Sequence, residues 1–556
     1  MQIESITIHN FRSIDDAKIS LGSYSLLVGA NNTGKSNLVD ALRVFYEKDG
    51  YKFIAQRDRP LMQTKDTEVW IDIVYKLTDD EANSLKQDYL QPENRLRVRK
   101  ILYSENGRKP GIYAFEGEVL SDSLFYGARG VQQGKLGTII YIPAVSKLEE
   151  NTKLTGPSPL RDLVTKITTE VLEDSASFTA FTERFSEFAR DIKNEKTADD
   201  RSLSALETAI SNSITGWDMS FEFDLSAPDE STIIKNLVNF KVVDNRLNER
   251  ISADQQGHGF QRHLIYTLIR LAVQFQGANR APMKKDFTPD MTLLLFEEPE
   301  AFLHPTQQDS LSRDLRKFGE QQENQVFISS HSARFVSQNT HDLPSIIRLS
   351  RPTNCTVCGQ IARSDFDEIL TDNRKINQIL SGTKYAAVAD DYLDEMESIK
   401  YFLWLNPERC GMFFAAQVLI VEGPTERVFL NHLFDTNKII MPHGGVFVLD
   451  SMGKFNMHRF MNICKHLKIP HSVLLDGDNG KDPHPAVFQL ITDSRNEYTR
   501  KIDLFNDDIE DFLGIDKVQS KRKHRKPQHV MLRYQQARVA EAKLNALIDK
   551  VKNLIT

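Results

Sequence analysis

The chain has 556 residues, of which 40% are hydrophobic and 26% charged, with a formal net charge of −7. This composition is typical of soluble globular proteins, and at about 150 residues per domain the length predicts about three or four domains. No apolar run approaches the roughly 18 residues of a membrane span, four cysteines make no disulfide framework, and the N-terminus lacks a secretion signal, so we expect a cytoplasmic protein without membrane contact.

A phosphate-binding loop is predicted near the N-terminus. The runs Gln2–Phe11 and Ser25–Val28 have strand patterns, and the second leads into Gly29-Ala30-Asn31-Asn32-Thr33-Gly34-Lys35-Ser36, followed by a helix. Glycines at the fixed positions permit a tight backbone whose N–H groups cradle phosphates at a helix N-terminus. Lys35 is expected to reach the β- and γ-phosphates, and Ser36 to bind Mg²⁺. The nucleotide contacts that we expect from this loop are Asn31, Asn32, Gly34, Lys35 and Ser36.

The next segment combines strands and amphipathic helices. Residues 67–115 have a strand pattern in which Arg95, Arg97 and Arg99 share one face; that face either tracks phosphates or is simply solvated. Residues 138–144 form a buried strand pattern that returns to the same core. Helical spacing follows in residues 160–172 and in a stripe of phenylalanines, which belongs equally well to a packed helical subdomain or to a dimer interface. The stripe consists of Phe178, Phe181, Phe185 and Phe188.

Three later motifs fit the phosphate-binding loop. Gly257 and Gly259 lie in a turn that feeds a helix, which makes a second anion site. The apolar run 293–296 ends in Glu297, expected in the Mg²⁺ water shell, and Glu298, expected to polarise the attacking water. A second run, 326–328, leads to His331, which could contact the γ-phosphate. Farther along, Cys355 and Cys358 form an isolated C-x-x-C, for which free thiols are favoured over zinc.

The order of these motifs resembles that of ABC ATPases of the RecF, SMC and Rad50 type. Residues 298–305 (Glu-Pro-Glu-Ala-Phe-Leu-His-Pro) are especially similar to the OLD (overcoming lysogenization defect) family. The resemblance implies that Glu298 is the hydrolytic glutamate, that His304 lies in the D-loop and that His331 forms the H-loop. It suggests Gln56 for the Q-loop. Glu297 replaces the aspartate that is usual at the metal-associated position, so we expect slow hydrolysis.

An acidic cluster is predicted in the last third of the chain. The strand pattern 417–421 ends in Glu422, with Glu426 one helical turn later, and the pattern 472–475 ends in Asp476-Gly477-Asp478. Open α/β sheets place their sites at the carboxyl ends of parallel strands. Carboxylates gathered there can hold one or two Mg²⁺ ions, which activate water and stabilise a leaving oxygen. The alternatives are a helix cap for Glu426 and a turn for the two aspartates.

This arrangement resembles the Toprim domain, which in the OLD family follows the ABC ATPase in one chain. The resemblance implies metal ligation, by Mg²⁺ or Mn²⁺, at Glu422, Glu426, Asp476 and Asp478. It also implies a later acid, Glu510 or Asp511, and a lysine, Lys526, that steadies transition-state charge. The basic run 521–526 is either a phosphate-binding strip or a solvated loop. The final apolar stripe, 544–555, predicts a helix that packs on this domain or on a partner.

The expected fold class is therefore α/β: an ABC-type ATPase domain with a helical insertion, followed by a Toprim α/β domain. The expected segments are 1–150 and 241–405 for the ATPase, 151–240 for a helical dimerisation insertion, 406–530 for Toprim and 531–556 for a terminal helix. The family resemblance implies a dimeric or larger ATP-binding DNA endonuclease that acts in defence against phage, with a further protein or nucleic-acid partner. Cleavage of RNA and an ATP-switched clamp or sensor that does not cut are the alternatives.

Overall fold

A computed structural model describes most of the chain. The residues described are 1–47, 50–105, 107–127, 136–144, 163–165, 167–168, 175–196, 202–214, 219–223, 242–244, 249–251, 260, 264–269, 271, 287, 289, 291–336, 340–386, 391 and 393–556. They fall into two units, one made of Met1–Ala144 with Lys284–Thr556 and the other of Val145–Met283.

The described residues form 19 strands and 14 α-helices. The strands are β1 (Gln2–Phe11), β2 (Ile14–Ser20), β3 (Tyr24–Val28), β4 (Val69–Lys76), β5 (Leu90–Gln91), β6 (Arg95–Tyr103), β7 (Gly111–Glu116), β8 (Val119–Leu124), β9 (Thr138–Ile142), β10 (Val242–Asp244), β11 (Glu249–Ile251), β12 (Thr292–Glu297), β13 (Asn324–Ser329), β14 (Ile346–Ser350), β15 (Val357–Gln360), β16 (Gln417–Val421), β17 (Val446–Asp450), β18 (His471–Leu475) and β19 (Thr499–Leu504). The helices are α1 (Lys35–Tyr46), α2 (Ala55–Asp58), α3 (Asp79–Ser84), α4 (Ala176–Asn194), α5 (Leu203–Ile214), α6 (Pro305–Glu320), α7 (Arg363–Leu380), α8 (Asp394–Trp404), α9 (Pro424–Asp435), α10 (Met457–His466), α11 (His484–Asp493), α12 (Ile509–Leu513), α13 (Lys526–Gln535) and α14 (Glu541–Ile555).

The first unit begins with an antiparallel sheet in the order β2-β1-β4-β6-β7-β8, with β5 added to β6. The arginines of β6 share one face as predicted, but they are already paired with carboxylates: Arg95 with Glu4, and both Arg97 and Arg99 with the buried Asp72. The phosphate-tracking interpretation of this face is therefore not supported. The prediction of strands throughout 67–115 is wrong at α3, where a Thr78 capping box starts a short helix.

The predicted nucleotide-binding sheet is β15-β14-β3-β13-β12-β9, parallel except where β15 joins β14. The strands β3, β12 and β13 are buried at every position, as expected where both faces of a parallel sheet are covered. Since these three strands are neighbours and parallel, their carboxyl ends bring the phosphate-binding loop, Glu297 and His331 to one edge.

The C-terminal sheet is parallel throughout, in the order β17-β16-β18-β19. The predicted terminal helix is α14, and its buried face, which includes Leu547, Val551 and Leu554, joins the core of this sheet. Packing on this domain therefore accounts for the apolar stripe of the helix, and the alternative of packing on a partner is not required. The α/β fold class predicted from the sequence is confirmed by these two sheets.

The second unit contains α4, α5 and the hairpin β10-β11 among its described residues. The phenylalanine stripe lies along α4 with successive ring centroids 6.2, 6.1 and 6.0 Å apart. Phe181 and Phe188 are 41% and 54% exposed, so dimerisation through this stripe stays a prediction. Most of the predicted helix 160–172 lies outside the described residues. Among described residues, no helix combines the length and the apolar character needed to cross a bilayer.

Candidate functional site

The phosphate-binding loop joins the carboxyl end of β3 to the N-terminus of α1. Gly29 has φ +143°, and a Cβ atom there would lie 2.3 Å from the backbone oxygen of Leu349. Gly34 caps α1 with φ +102°. Both positions therefore require glycine. Lys35 is buried and donates to the carbonyls of Gly29 (2.9 Å) and Ala30 (2.8 Å). Burial lowers the pKa of Lys35 to about 8.

The other residues of this loop that are predicted to bind nucleotide are exposed. They are Asn31, Asn32 and Ser36, and Asn32 takes a left-handed conformation with φ 63°. Their side chains are thus accessible to a ligand at the N-terminus of α1, which is where a helix attracts phosphate.

The two glutamates at the end of β12 point to different surroundings. Glu297 is buried, and its carboxylate accepts hydrogen bonds from the Tyr141 hydroxyl (3.1 Å) and the Ala144 N–H (3.5 Å). Glu298 has φ 46°, which turns the chain after the strand. The Glu298 carboxylate contributes electrostatically to the environment of Lys35 and of His331, so the phosphate-binding loop, Glu298 and His331 do share one region.

Glu300 is a residue of this region that the sequence analysis did not single out. Its carboxylate accepts hydrogen bonds from the Ser330 hydroxyl (2.8 Å) and the His331 N–H (2.6 Å). Burial raises the pKa of Glu300 and lowers that of His331, which Lys35 lowers further. The available signal was its place in Glu-Pro-Glu, two residues after Glu298.

The remaining residues predicted to lie at the nucleotide are His304, Gln56, Gly257 and Gly259. His304 is exposed and precedes α6, where its N–H is capped by Gln307. Gln56 is exposed on α2, and no described contact joins it to the phosphate-binding loop. Gly257 and Gly259 lie outside the described residues.

Arg12 ties α2 to the helix of the phosphate-binding loop. It donates to Asp58 of α2 (3.0 Å) and to Asp40 of α1 (2.7 Å). A cavity of about 320 Å³ opens nearby, lined by Asn10 and by residues 59–60 and 62–67.

The predicted acidic cluster lies at the carboxyl edge of the C-terminal sheet. Glu422 and Asp476 follow the adjacent strands β16 and β18, and the Asp476 N–H donates to Glu422 Oε2 (3.3 Å). Glu426 is buried in the first turn of α9 and caps it by accepting from the Gly423 N–H (3.0 Å). The cap predicted as an alternative for Glu426 is therefore present.

Burial governs the protonation of this cluster. It raises the pKa of Glu422, that of Glu426 to about 7, and that of Asp476 to about 9, where the neighbouring Glu426 and Glu422 charges add to burial. Carboxylates that repel one another in a buried site are stabilised by a cation between them.

Lys526 lies beside this cluster, at the start of α13. Its Nζ is 3.6 Å from Asp476, 3.6 Å from Glu510 and 3.8 Å from Asp508. Burial lowers the pKa of Lys526, but the surrounding carboxylates outweigh burial and raise it overall. Glu510 is buried, whereas Asp511 is exposed, so the geometry favours Glu510 as the later acid. Asp508 is a further acid that the sequence analysis did not single out.

Asp478 is turned toward a second lysine, which the sequence analysis also missed. Lys454 is buried and forms an ion pair with Asp478, and His484 Nδ1 lies 3.1 Å from the same carboxylate. In the part of the chain that the structure describes, no three acidic, histidine or cysteine side chains converge as a ready metal cage. The acids are instead divided between Lys454 and Lys526.

The donor set nevertheless fits a divalent metal ion. Oxygen ligands are those that Mg²⁺ prefers, and five carboxylates lie around one sheet edge. Asp476 Oδ1 is buried and accepts no hydrogen bond from any described residue, which is costly unless a cation or a proton satisfies it.

A buried arginine joins the two sheets. Arg348 of β14 donates to the carbonyls of Lys468 (2.8 Å), just after α10, and of Ala415 (2.8 Å), just before β16. Burial lowers the pKa of Arg348 to about 10. Since β14 pairs with β3, this contact connects the strand of the phosphate-binding loop to the sheet of the acidic cluster.

Comparisons with known proteins follow the same division. Residues 1–120 and 130–336 match the family described as AAA ATPase domain, and residues 413–478 match the overcoming lysogenization defect protein-like TOPRIM domain. Old nuclease of Escherichia phage P2 is 24% identical over 501 residues, covering 86% of this chain and 77% of that protein. Endonuclease GajA of Bacillus cereus (strain VD045) is 22% identical over 515 residues, covering 88% and 78%. A solved SMC head bound to the C-winged helix domain of ScpA aligns with 66% of this chain and 99% of its own at a TM-score of 0.37 and 14% identity.

Proposed function

The chain belongs to the AAA ATPase domain family and carries an OLD-like TOPRIM domain, and we propose that it is an ATP-hydrolysing, metal-dependent DNA endonuclease whose ATPase domain regulates cleavage. The names of the relatives, Old nuclease and endonuclease GajA, support the endonuclease activity.

One observation carries the nuclease proposal: buried carboxylates from adjacent parallel strands meet at one sheet edge, with an unpaired Asp476 oxygen and a lysine beside them. The residues that would hold a metal are Glu422, Glu426, Asp476, Asp478 and Glu510. When bound, Mg²⁺ or Mn²⁺ supplies an activated water and stabilisation of the leaving oxygen.

The protein's own groups would bind and orient the DNA backbone. Lys526 stays positively charged among its carboxylates and can donate to a phosphoryl oxygen as negative charge builds on it. Arg522, His524 and Arg525 are exposed immediately before it, and neutralisation of backbone phosphates dominates nucleic-acid affinity.

In the ATPase domain, Lys35 would exchange the loop carbonyls for the phosphates of ATP. Ser36 and Glu297 would hold the nucleotide's Mg²⁺, Glu298 would orient the attacking water, and His331 would contact the γ-phosphate. Residues 257–259 would close the site from a second copy of the chain, which is why we propose a homodimer or larger assembly.

Regulation of cleavage is supported by the Arg348 contact, because it joins the strand that carries the phosphate-binding loop to the nuclease sheet. We also propose a role in defence against phage, which the family resemblance implies. Loss of plaque reduction in cells that express an Asp476→Asn variant instead of the wild type would test that role.

The first experiment is cleavage of supercoiled plasmid with Mg²⁺ or Mn²⁺, with and without ATP. Asp476→Asn should abolish cleavage and leave ATP hydrolysis intact, whereas Asp493→Asn, an exposed control, should change neither. The ATP lanes give the direction of regulation. Cleavage of RNA alone would reassign the substrate, and ATP hydrolysis without cleavage of either polymer would contradict the nuclease proposal.

A further inference from the structure

Lys454 is a buried cation inside the acidic cluster. It follows β17, in a segment quite separate from Lys526, and its side chain is 4% exposed. Its Nζ forms an ion pair with Asp478, donates to the backbone carbonyl of Asp476 (2.6 Å) and lies 3.8 Å from Glu422 Oε2. One ammonium group thus contacts both aspartates of Asp-Gly-Asp and the glutamate of the adjacent strand.

The loop that carries Lys454 is fastened to the strand that carries Glu422. The Gly453 N–H donates to the Glu422 carbonyl (2.7 Å), and the Ser451 hydroxyl donates to the Val421 carbonyl (2.9 Å). Gly453 has φ +107°, a conformation that favours glycine. These backbone contacts therefore fix the segment that places the Lys454 ammonium group in the cluster.

The two lysines divide the acids between them. Lys526 stands 3.6 to 3.8 Å from Asp476, Glu510 and Asp508, which is beyond hydrogen-bond distance. Lys454 instead makes direct contact with Asp478, and His484 Nδ1 lies 3.1 Å from the same carboxylate. Among the proposed metal ligands that the structure describes, Asp478 is thus the one whose carboxylate lies within hydrogen-bond distance of a lysine ammonium.

We propose that Lys454 is an internal counter-ion, which holds Asp478 and Glu422 in place before metal binds and must give up its contact with Asp478 when a divalent cation is loaded. This inference rests on the proposed metal-dependent function. Lys454 is a positioning residue: it stabilises the metal-free enzyme and, by competing for the same carboxylates, weakens metal binding. An ion pair that is lost on binding opposes binding by the free energy of that pair.

The test measures Mn²⁺ binding directly, by electron paramagnetic resonance of free Mn²⁺, and thermal unfolding in EDTA and in Mn²⁺. Lys454→Met should bind Mn²⁺ about three- to tenfold more tightly, as expected for loss of a competing pair worth about 1 kcal/mol. Its Tm should fall in EDTA and rise more than that of the wild type when Mn²⁺ is added. Lys454→Arg should restore the Tm in EDTA, and Lys465→Met, on the exposed end of α10, should match the wild type.

Lys454→Gln provides a second neutral variant, which can still donate to the Asp476 carbonyl and decides the outcome if Lys454→Met does not fold. Unchanged or weaker Mn²⁺ binding by the folded neutral variant would overturn the counter-ion role. Glu422→Gln distinguishes failure of this inference from failure of the proposed function. If Glu422→Gln binds Mn²⁺ as tightly as the wild type, the proposed metal site is wrong. If Glu422→Gln loses Mn²⁺ binding while the neutral Lys454 variant binds Mn²⁺ like the wild type, only the counter-ion role is rejected.

Discussion

Glu300 accepts a 2.6 Å hydrogen bond from the backbone N–H of His331, and its second oxygen accepts one of 2.8 Å from the Ser330 hydroxyl. The carboxylate therefore fixes the turn at the end of β13 that presents the histidine. Because Lys35 and Glu298 are part of the same electrostatic environment, the position of His331 relative to the phosphate-binding loop depends on this contact.

We propose that His331 contacts the γ-phosphate, so replacing Glu300, which positions His331, with alanine should slow ATP hydrolysis at least about tenfold, the order found when a group that orients an active-site side chain is removed. Binding of ATP should change much less, because Lys35 and the loop remain. Steady-state hydrolysis and equilibrium binding of a fluorescent ATP analogue measure the two effects. Glu320→Ala, at the exposed end of α6, is the control; equal losses in both variants would show that Glu300 has no special role.

Gly29→Ala should weaken ATP binding at least about tenfold, because a Cβ atom would meet the Leu349 oxygen at 2.3 Å in a left-handed backbone. Gly22→Ala lies before the other end of β3, where the nearest atom would be 3.6 Å away, and should bind normally. Isothermal titration with ATP compares the two. Tight binding by Gly29→Ala would mean that the loop rearranges to hold nucleotide.

Glu510→Gln should reduce plasmid cleavage by about two orders of magnitude or more, as expected for loss of a charged active-site group. Asp511→Asn, one residue away and exposed, should keep wild-type activity because Asp511 is not among the carboxylates described beside Lys526. Initial cleavage rates in Mn²⁺ decide between them. A loss confined to the Asp511 variant would reverse the assignment that the geometry favours.

Glu397 of α8 and Arg459 of α10 form a buried two-point ion pair, with distances of 2.9 and 2.8 Å. Burial raises the pKa of Glu397, but Arg459 and Lys400 outweigh it and lower the pKa below its ordinary value of 4.5. Its stabilising effect is therefore full above about pH 4.5 and is lost as the pH falls through the lowered pKa of the folded state.

Glu397→Gln should accordingly lower the free energy of unfolding by about 3 kcal/mol at pH 7, because Arg459 is left buried without its partner. The difference from the wild type should shrink below pH 4.5. Urea unfolding at pH 7 and at pH 4 measures both effects, and Glu395→Gln, exposed on the same helix, supplies the reference. A difference that does not depend on pH would mean that packing, not charge, explains the loss.

The sequence predicted the order of the two domains and the strands and helices around both candidate sites, because these depend on local patterns. A strand followed by a glycine-rich loop and a helix can be recognised locally: the predicted strand 25–28 lies within Tyr24–Val28, and the helix begins at Lys35, inside the motif. The family resemblance, an ATPase domain followed by an OLD-like TOPRIM domain, is confirmed. The strand ends at Glu422 and Asp476 were likewise readable from apolar runs.

Partnerships between distant residues were decided only by the tertiary structure. Nothing near Lys454 in the sequence indicates that it meets an aspartate from another strand, and the arginines of β6 could not be assigned to Asp72 until the sheet order was known. Glu510 and Asp511 are equivalent as residue types, and only the rotation of α12 buries one and exposes the other. Sequence patterns fix how a segment folds locally, whereas the charge that faces a given side chain depends on which strands and helices pack beside it.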